Sequence, residues 1–196
     1  MLDLLLKLIE QIVKLLKERR DVGRHWFDDV VEPVFKRLEP VAKDYIEFFR
    51  SAAELAASAA ATPKNKQLLE DAITVLEKKR ADTVQARRVV QRLAEEAKEK
   101  APKPIAAFCG SVEEFFYSTG MLVPGSHAVE LFDVFRAVAD RRIPSGGEWW
   151  RADLGRSGAL TARALAGLCQ AAERNLNAKW ERICREYAQL RIALPK

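Results

Sequence analysis

Residues 165–194 read LAGLCQAAERNLNAKWERICREYAQLRIAL, and this stretch decides the fold class. Leu165, Cys169, Ala172, Leu176, Trp180, Ile183, Tyr187, Leu190 and Leu194 recur at steps of 4-3-4-4-3-4-3-4. A helix turns once every 3.6 residues, so these side chains share one face. The spacing predicts a helix over about 157–193 with a near-heptad seam. That seam pairs either inside the chain or with a second copy.

The same periodicity governs the rest of the chain. In MLDLLLKLIEQIVKLLKERR, residues 1–20, Leu5, Ile9, Ile12 and Leu16 follow a 4-3-4 spacing, and Leu8 and Leu15 widen the stripe. An amphipathic helix is expected over 2–20, ended or bent by Gly23. A second helix is expected over 26–60, with Asp29 as N-cap, Glu32 as its capping-box partner and Pro33 in the first turn. Pro40 predicts a kink or break, because an internal proline removes a backbone donor. Val34, Leu38, Val41, Tyr45, Phe48 and Leu55 form its apolar face, and the alanine-rich stretch 52–61 permits close helix contact.

Thr62-Pro63 starts a third helix, expected over 63–100. Its thin apolar stripe is Leu69, Ile73, Leu76, Val84, Val90, Leu93 and Ala97. KAPKP, residues 100–104, breaks the chain. A short aromatic helix over 105–118 and another over 126–142 follow, then a connection at 143–157. No convincing strand pair and no fixed-period repeat is visible. The expected architecture is all-α, an elongated helical bundle of five to six helices, several long and antiparallel. The expected division is an N-terminal long-helix portion, 1–100, and a C-terminal helical portion, 105–196, packed as one domain.

A chain of 196 residues with 48% hydrophobic side chains can bury a real core. The net charge is +5, and it is segmental. Lys78 to Lys103 carries nine basic residues against four acidic ones, and 141–163 carries five arginines against Glu148 and Asp153. Such a balance tilts toward acidic partners. Three cysteines at wide spacing, with no C-x-x-C, give neither a disulfide framework nor a zinc site and fit a reducing cytoplasm. The leucine-rich N-terminus is interrupted by Asp3, Lys7, Glu10 and Lys14, unlike a signal peptide. No apolar run approaches the roughly 20 residues that span a bilayer.

Catalytic signatures are weak. The chain has two histidines, His25 and His127, and neither a G-x-S-x-G elbow nor a phosphate-binding glycine loop. An enzyme is not expected, nor a cofactor. HWFDDVVE, residues 25–32, places His25, Asp28 or Asp29, and Glu32 on one helical face, but the Glu-x-x-His repeat of di-iron bundles is missing. Acids at a helix start, favoured by the dipole, explain that stretch as well.

The favoured functional reading is a non-enzymatic helical interaction protein. It is a subunit or adaptor of a larger cytoplasmic complex, binding a larger protein or its own copy. Trp and Arg are typical interface anchors. The expected interface residues are Phe49 and Phe116, the off-stripe members of doubled aromatics, with Trp149, Trp150 and Trp180. The alternative is a nucleic-acid-binding accessory protein, of the size used in genome defence. It would use Arg80, Arg87, Arg88 and Arg92, joined by Arg151 and Arg156. A metal-binding helical bundle enzyme around His25, Asp29 and Glu32 is a second alternative.

Overall fold

A computed structural model of the chain describes residues 1–18, 26–59, 85–117, 120–121, 129–130 and 162–193. The architecture is all-α, with five helices among the described residues. They are α1 (Leu2–Glu18), α2 (Glu32–Ala59), α3 (85–100), α4 (Lys103–Tyr117) and α5 (Ala162–Ala193). A π-helical turn, Phe27–Val31, leads directly into α2. One minimal strand pair accompanies them, β1 (Gly120–Met121) with β2 (Val129–Glu130), antiparallel, with Gly120 opposite Glu130.

The chain forms two compact units that interleave in sequence. The first comprises Met1–Tyr45, Asp82–Tyr117 and Leu176–Lys196, so KAPKP lies inside it. All five helices contribute to this unit. Its core is large and branched. Leu5, Ile9 and Leu16 of α1, Val34 and Leu38 of α2, and Val90 and Leu93 of α3 are buried. Phe108, Phe115 and Phe116 of α4 and Ile183 and Leu190 of α5 are buried with them. Each such side chain taken from water stabilises the fold by roughly 1.5–3 kcal/mol. The second unit comprises Ile46–Ala81 and Ser118–Asn175. Apart from Ile46 and Phe49, its buried described side chains are small: Ala52, Ala53, Ala166, Cys169 and Ala172. Arg50 of α2 clasps Glu173 of α5 within it at 2.9 Å.

Several expectations change at the level of single turns. The α1 stripe is widened by Leu6 and Val13, whereas Leu15 is 45% exposed and Leu8 only half-buried. On α2 it is Phe49, not Phe48, that is fully buried, and Leu55 stays exposed. The helix runs on through Pro40 without a break. Asp29 is not an N-cap, because it sits inside the π turn that already continues the helix from Trp26. Pro33 gives the physical reason. A proline ring clashes with the carbonyl four residues back, here that of Asp29. The π turn widens the backbone at that carbonyl, and the Glu32 N–H bonds back to the Phe27 carbonyl.

The break at KAPKP is only two residues long, since α3 ends at Lys100 and α4 begins at Lys103. The Ile105 and Ala106 N–H groups both bond to the Pro102 carbonyl. Of the helix expected over 126–142, only Val129 and Glu130 are described, and they are paired as strand. Val129 is branched at Cβ, which suits a strand, and Pro124-Gly125, a strong turn dipeptide, lies between the two strands in sequence. The helix expected over 63–100 is seen from 85 onward as α3; its 63–84 part and the connection at 143–157 lie outside the described residues.

Candidate interaction surface

The seam of α5 divides into a deep line and a shallow one. Leu176, Ile183 and Leu190 are buried, while Trp180 and Tyr187 are half-buried. Trp180 and Tyr187 are seven residues apart, which on a helix leaves them within about 20° of one line. Against them come Phe27 and Phe35, also half-buried. Eight residues of regular α-helix would leave those two rings about 80° apart. The extra residue that the π turn accommodates reduces this to about the 20° of a heptad. Pro33, the π turn and the alignment of the two phenylalanines thus form one causal chain.

The four rings stack in a single ladder, in the order Phe27, Tyr187, Phe35, Trp180. Ring centroids are 5.5 Å apart for Phe27 and Tyr187, 3.8 Å for Tyr187 and Phe35, and 5.3 Å for Phe35 and Trp180. The central pair is nearly parallel, at 6°. Tyr187 and Phe35 therefore have both faces covered by neighbouring rings. What the ladder offers outward is ring edges and the outer faces of its end rings. Ring edges carry partial positive charge.

Charges frame the ladder without entering it. Lys36 pairs with Glu32 at 2.9 Å, and that carboxylate raises the lysine pKa. Lys43 pairs with Glu39 at 2.8 Å. Arg182 bridges Glu114 of α4 and Glu186, at 2.9 and 3.0 Å. Lys179 donates to the Glu114 carbonyl at 3.4 Å, and partial burial lowers its pKa. Burial, then Glu39 and Glu181, raises the pKa of the Cys184 thiol. The Cys109 and Cys169 thiols are pushed up to about 12 by burial. These two are inert core residues at neutral pH. Glu113 is raised by burial and by the neighbouring Glu95 and Glu114.

The residues expected to act divide sharply. Trp180 takes part in the surface ladder. Phe49 and Phe116 do not reach a surface: they are 0% and 2% exposed, packed inside the chain. Phe48 and Phe49 meet edge to face, as do Phe115 and Phe116, so each doublet fills its own core. Arg87 also moves from surface to interior. It is 7% exposed and its Nε donates to the Phe116 carbonyl at 2.9 Å. That carbonyl lies in the last turn of α4, where acceptors lack helical partners and the dipole favours a cation. Arg87 is therefore a helix-terminating side chain and not a phosphate ligand. Arg88 and Arg92 are exposed on α3. Trp149, Trp150, Arg80, Arg151 and Arg156 lie outside the described residues.

His25 also lies outside the described residues. Glu32 is engaged by Lys36, and among the described residues no group of three His, Cys, Asp or Glu is placed to hold a metal ion. No described helix is long and apolar enough to cross a membrane. Comparison with protein-family models, curated proteins and solved structures finds no match.

Phe27 and Phe35 were not legible as a pair in the sequence. A regular helix places them on different sides. The available signal was Pro33, whose ring removes one backbone donor and crowds the Asp29 carbonyl four residues back.

Proposed function

We propose that this chain is a non-enzymatic helical interaction protein, a subunit or adaptor of a larger cytoplasmic assembly. Its partner-facing surface is the ladder of Phe27, Tyr187, Phe35 and Trp180. The observation that carries this reading is the stacking itself. Four half-exposed aromatic rings hold one another in place, so little side-chain freedom remains to be lost on binding. Rigid Trp and Tyr side chains are the usual anchors of protein interfaces. Nucleobases need open ring faces to stack on, and the two inner rings have none. Their positive edges suit the carbonyl and carboxylate oxygens of a protein surface instead.

The test is the size of the assembly in native extract, with the chain detected after size separation. The wild type is expected well above its 22.1 kDa monomer mass. A Phe27→Leu, Trp180→Leu variant, which keeps apolar bulk but removes both end rings of the ladder, is expected to shift toward that mass while melting at a similar temperature. A wild type that runs as a monomer, or a folded variant that keeps the wild-type size, overturns the reading.

A further inference from the structure

Beside the ladder, the first unit carries a second surface of different chemistry. Helices α1 and α3 lie side by side: Lys17 meets Glu96 at 3.5 Å, and the Lys100 Nζ donates to the Leu16 carbonyl at 2.9 Å. Between them lies a groove of about 300 Å³, lined by Glu10, Val13, Lys14, Lys17, Val89 and Arg92. Its floor is two valines and its walls are three cations and one carboxylate.

Of the lining cations, Lys17 and Arg92 are the decisive two. Glu96 serves two lysines at once, with Lys100 at 2.9 Å on one oxygen and Lys17 on the other. Its pKa is lowered, first by the hydrogen bond from Lys100. The same carboxylate therefore cannot fully neutralise Lys17, whose side chain is 58% exposed. Arg92 forms no ion pair among the described residues. Arg88 stands one turn before it on the exposed side of α3, about 6 Å along the axis. Among the described residues, Lys17 on one wall and Arg92 on the other therefore face an open groove whose lining holds a single carboxylate, Glu10.

We infer that this groove binds the phosphodiester backbone of nucleic acid. Arg92 and Lys17 contact phosphate oxygens directly, and Arg88 extends the track along α3. Arg87, the neighbour turned inward, takes no part. No aromatic side chain and no amide lines the groove, so nothing in it reads base edges or stacks on a base. Contacts of that kind position a backbone without selecting sequence. Binding is therefore sequence-independent and falls steeply with salt, as released counterions dictate. Glu10 opposes it, being the one carboxylate in the lining. This site stands apart from the ladder, and its failure leaves the protein-interaction reading untouched.

The test uses the whole chain with two 20-nucleotide duplexes of unrelated sequence, titrated from low to high salt. Both duplexes are expected to bind equally, with a log–log salt slope of about −2 to −3, for two to three phosphate contacts. Arg92→Glu should weaken binding by about tenfold or more, and Glu10→Gln should strengthen it. Lys98→Glu, on the exposed far side of α3, changes the net charge as Arg92→Glu does and should barely matter. Equal losses from Arg92→Glu and Lys98→Glu, no duplex binding at low salt, or binding only to anionic lipid vesicles would overturn the assignment. All three substituted positions are exposed, so thermal melts should coincide and separate binding from folding.

Discussion

Two helix pairs of the first unit close in opposite ways. Helices α2 and α5 meet through four aromatic rings that cover each other's faces. Helices α1 and α3 meet around a gap beside which one carboxylate, Glu96, is shared by Lys17 and Lys100, and Arg92 forms no ion pair among the described residues. The first pair has satisfied itself and presents a rigid rim of edges. The second has left charge in excess and presents an attraction. Surface composition alone would not separate them, since both carry aliphatic and basic residues. The difference lies in which groups already have partners, and on it rest the two proposals, a protein for one surface and a polyanion for the other.

The contrast breaks hardest at the arginines of α3. Arg87→Ala leaves the last turn of α4 without its donor and opens a void in the core, so a loss of about 3 kcal/mol is expected in urea unfolding. Arg88→Ala, one residue on and exposed, should change stability by less than about 0.5 kcal/mol. Similar values for the two would mean that Arg87 is not the buried partner of the Phe116 carbonyl.

On the other pair, Phe35→Ala removes the ring between Tyr187 and Trp180. A loss of about 2–3 kcal/mol is expected, below the usual range for a fully buried phenylalanine because Phe35 is half-exposed. The same variant should speed thiol labelling of Cys184, which lies between the two α5 rings in sequence, while Cys109 and Cys169 stay unreactive in the folded state. Unchanged Cys184 labelling would place the ladder elsewhere than between α2 and α5.

Pro33→Ala sharpens the comparison with little change in stability. With the ring gone, the backbone can close a regular turn, and Phe27 swings away from Phe35. The ring protons of Tyr187 should lose the ring-current shift from Phe27 while those from Phe35 persist. Identical spectra would separate the π turn from the proline.

The α1–α3 pair should respond to acid, and the sign follows from Glu96. Its folded pKa lies below the ordinary carboxyl value of 4.5, so its stabilising contribution is present above that value. The contribution is lost as pH falls through the lower, folded value. Glu96→Gln should therefore be less stable than wild type at pH 6, with the gap closing toward pH 3. A gap that stays constant over that range would rule out the paired carboxylate as its source.

Much of this was legible in the sequence, for a physical reason. The 4-3-4 recurrence of Leu5, Ile9, Ile12 and Leu16, and the 3-4-7-7 steps of Cys169, Ala172, Leu176, Ile183 and Leu190, report a helix face directly, and those residues are buried. Choices within a doublet were not legible. Phe48 or Phe49 and Arg87 or Arg88 differ by about 100° of helix rotation, and Val13 or Leu15 by about 160°, and only tertiary packing decides which side faces in. The ladder required a register shift that no periodic reading contains. The groove required two helices distant in sequence to lie side by side, with the partner of each charge known. Val129–Glu130 went to a strand because pairing with Gly120–Met121 overrode local helix pattern.

The most direct measurement of the central claim is site-specific photo-crosslinking in the native host. A photoreactive amino acid replaces Lys36, which borders the ladder, or Lys98, which lies on exposed α3. If the ladder is the partner-facing surface, position 36 gives a discrete adduct with a protein, a second copy included, and position 98 does not. No adduct at position 36, or the same adducts at both positions, would contradict it.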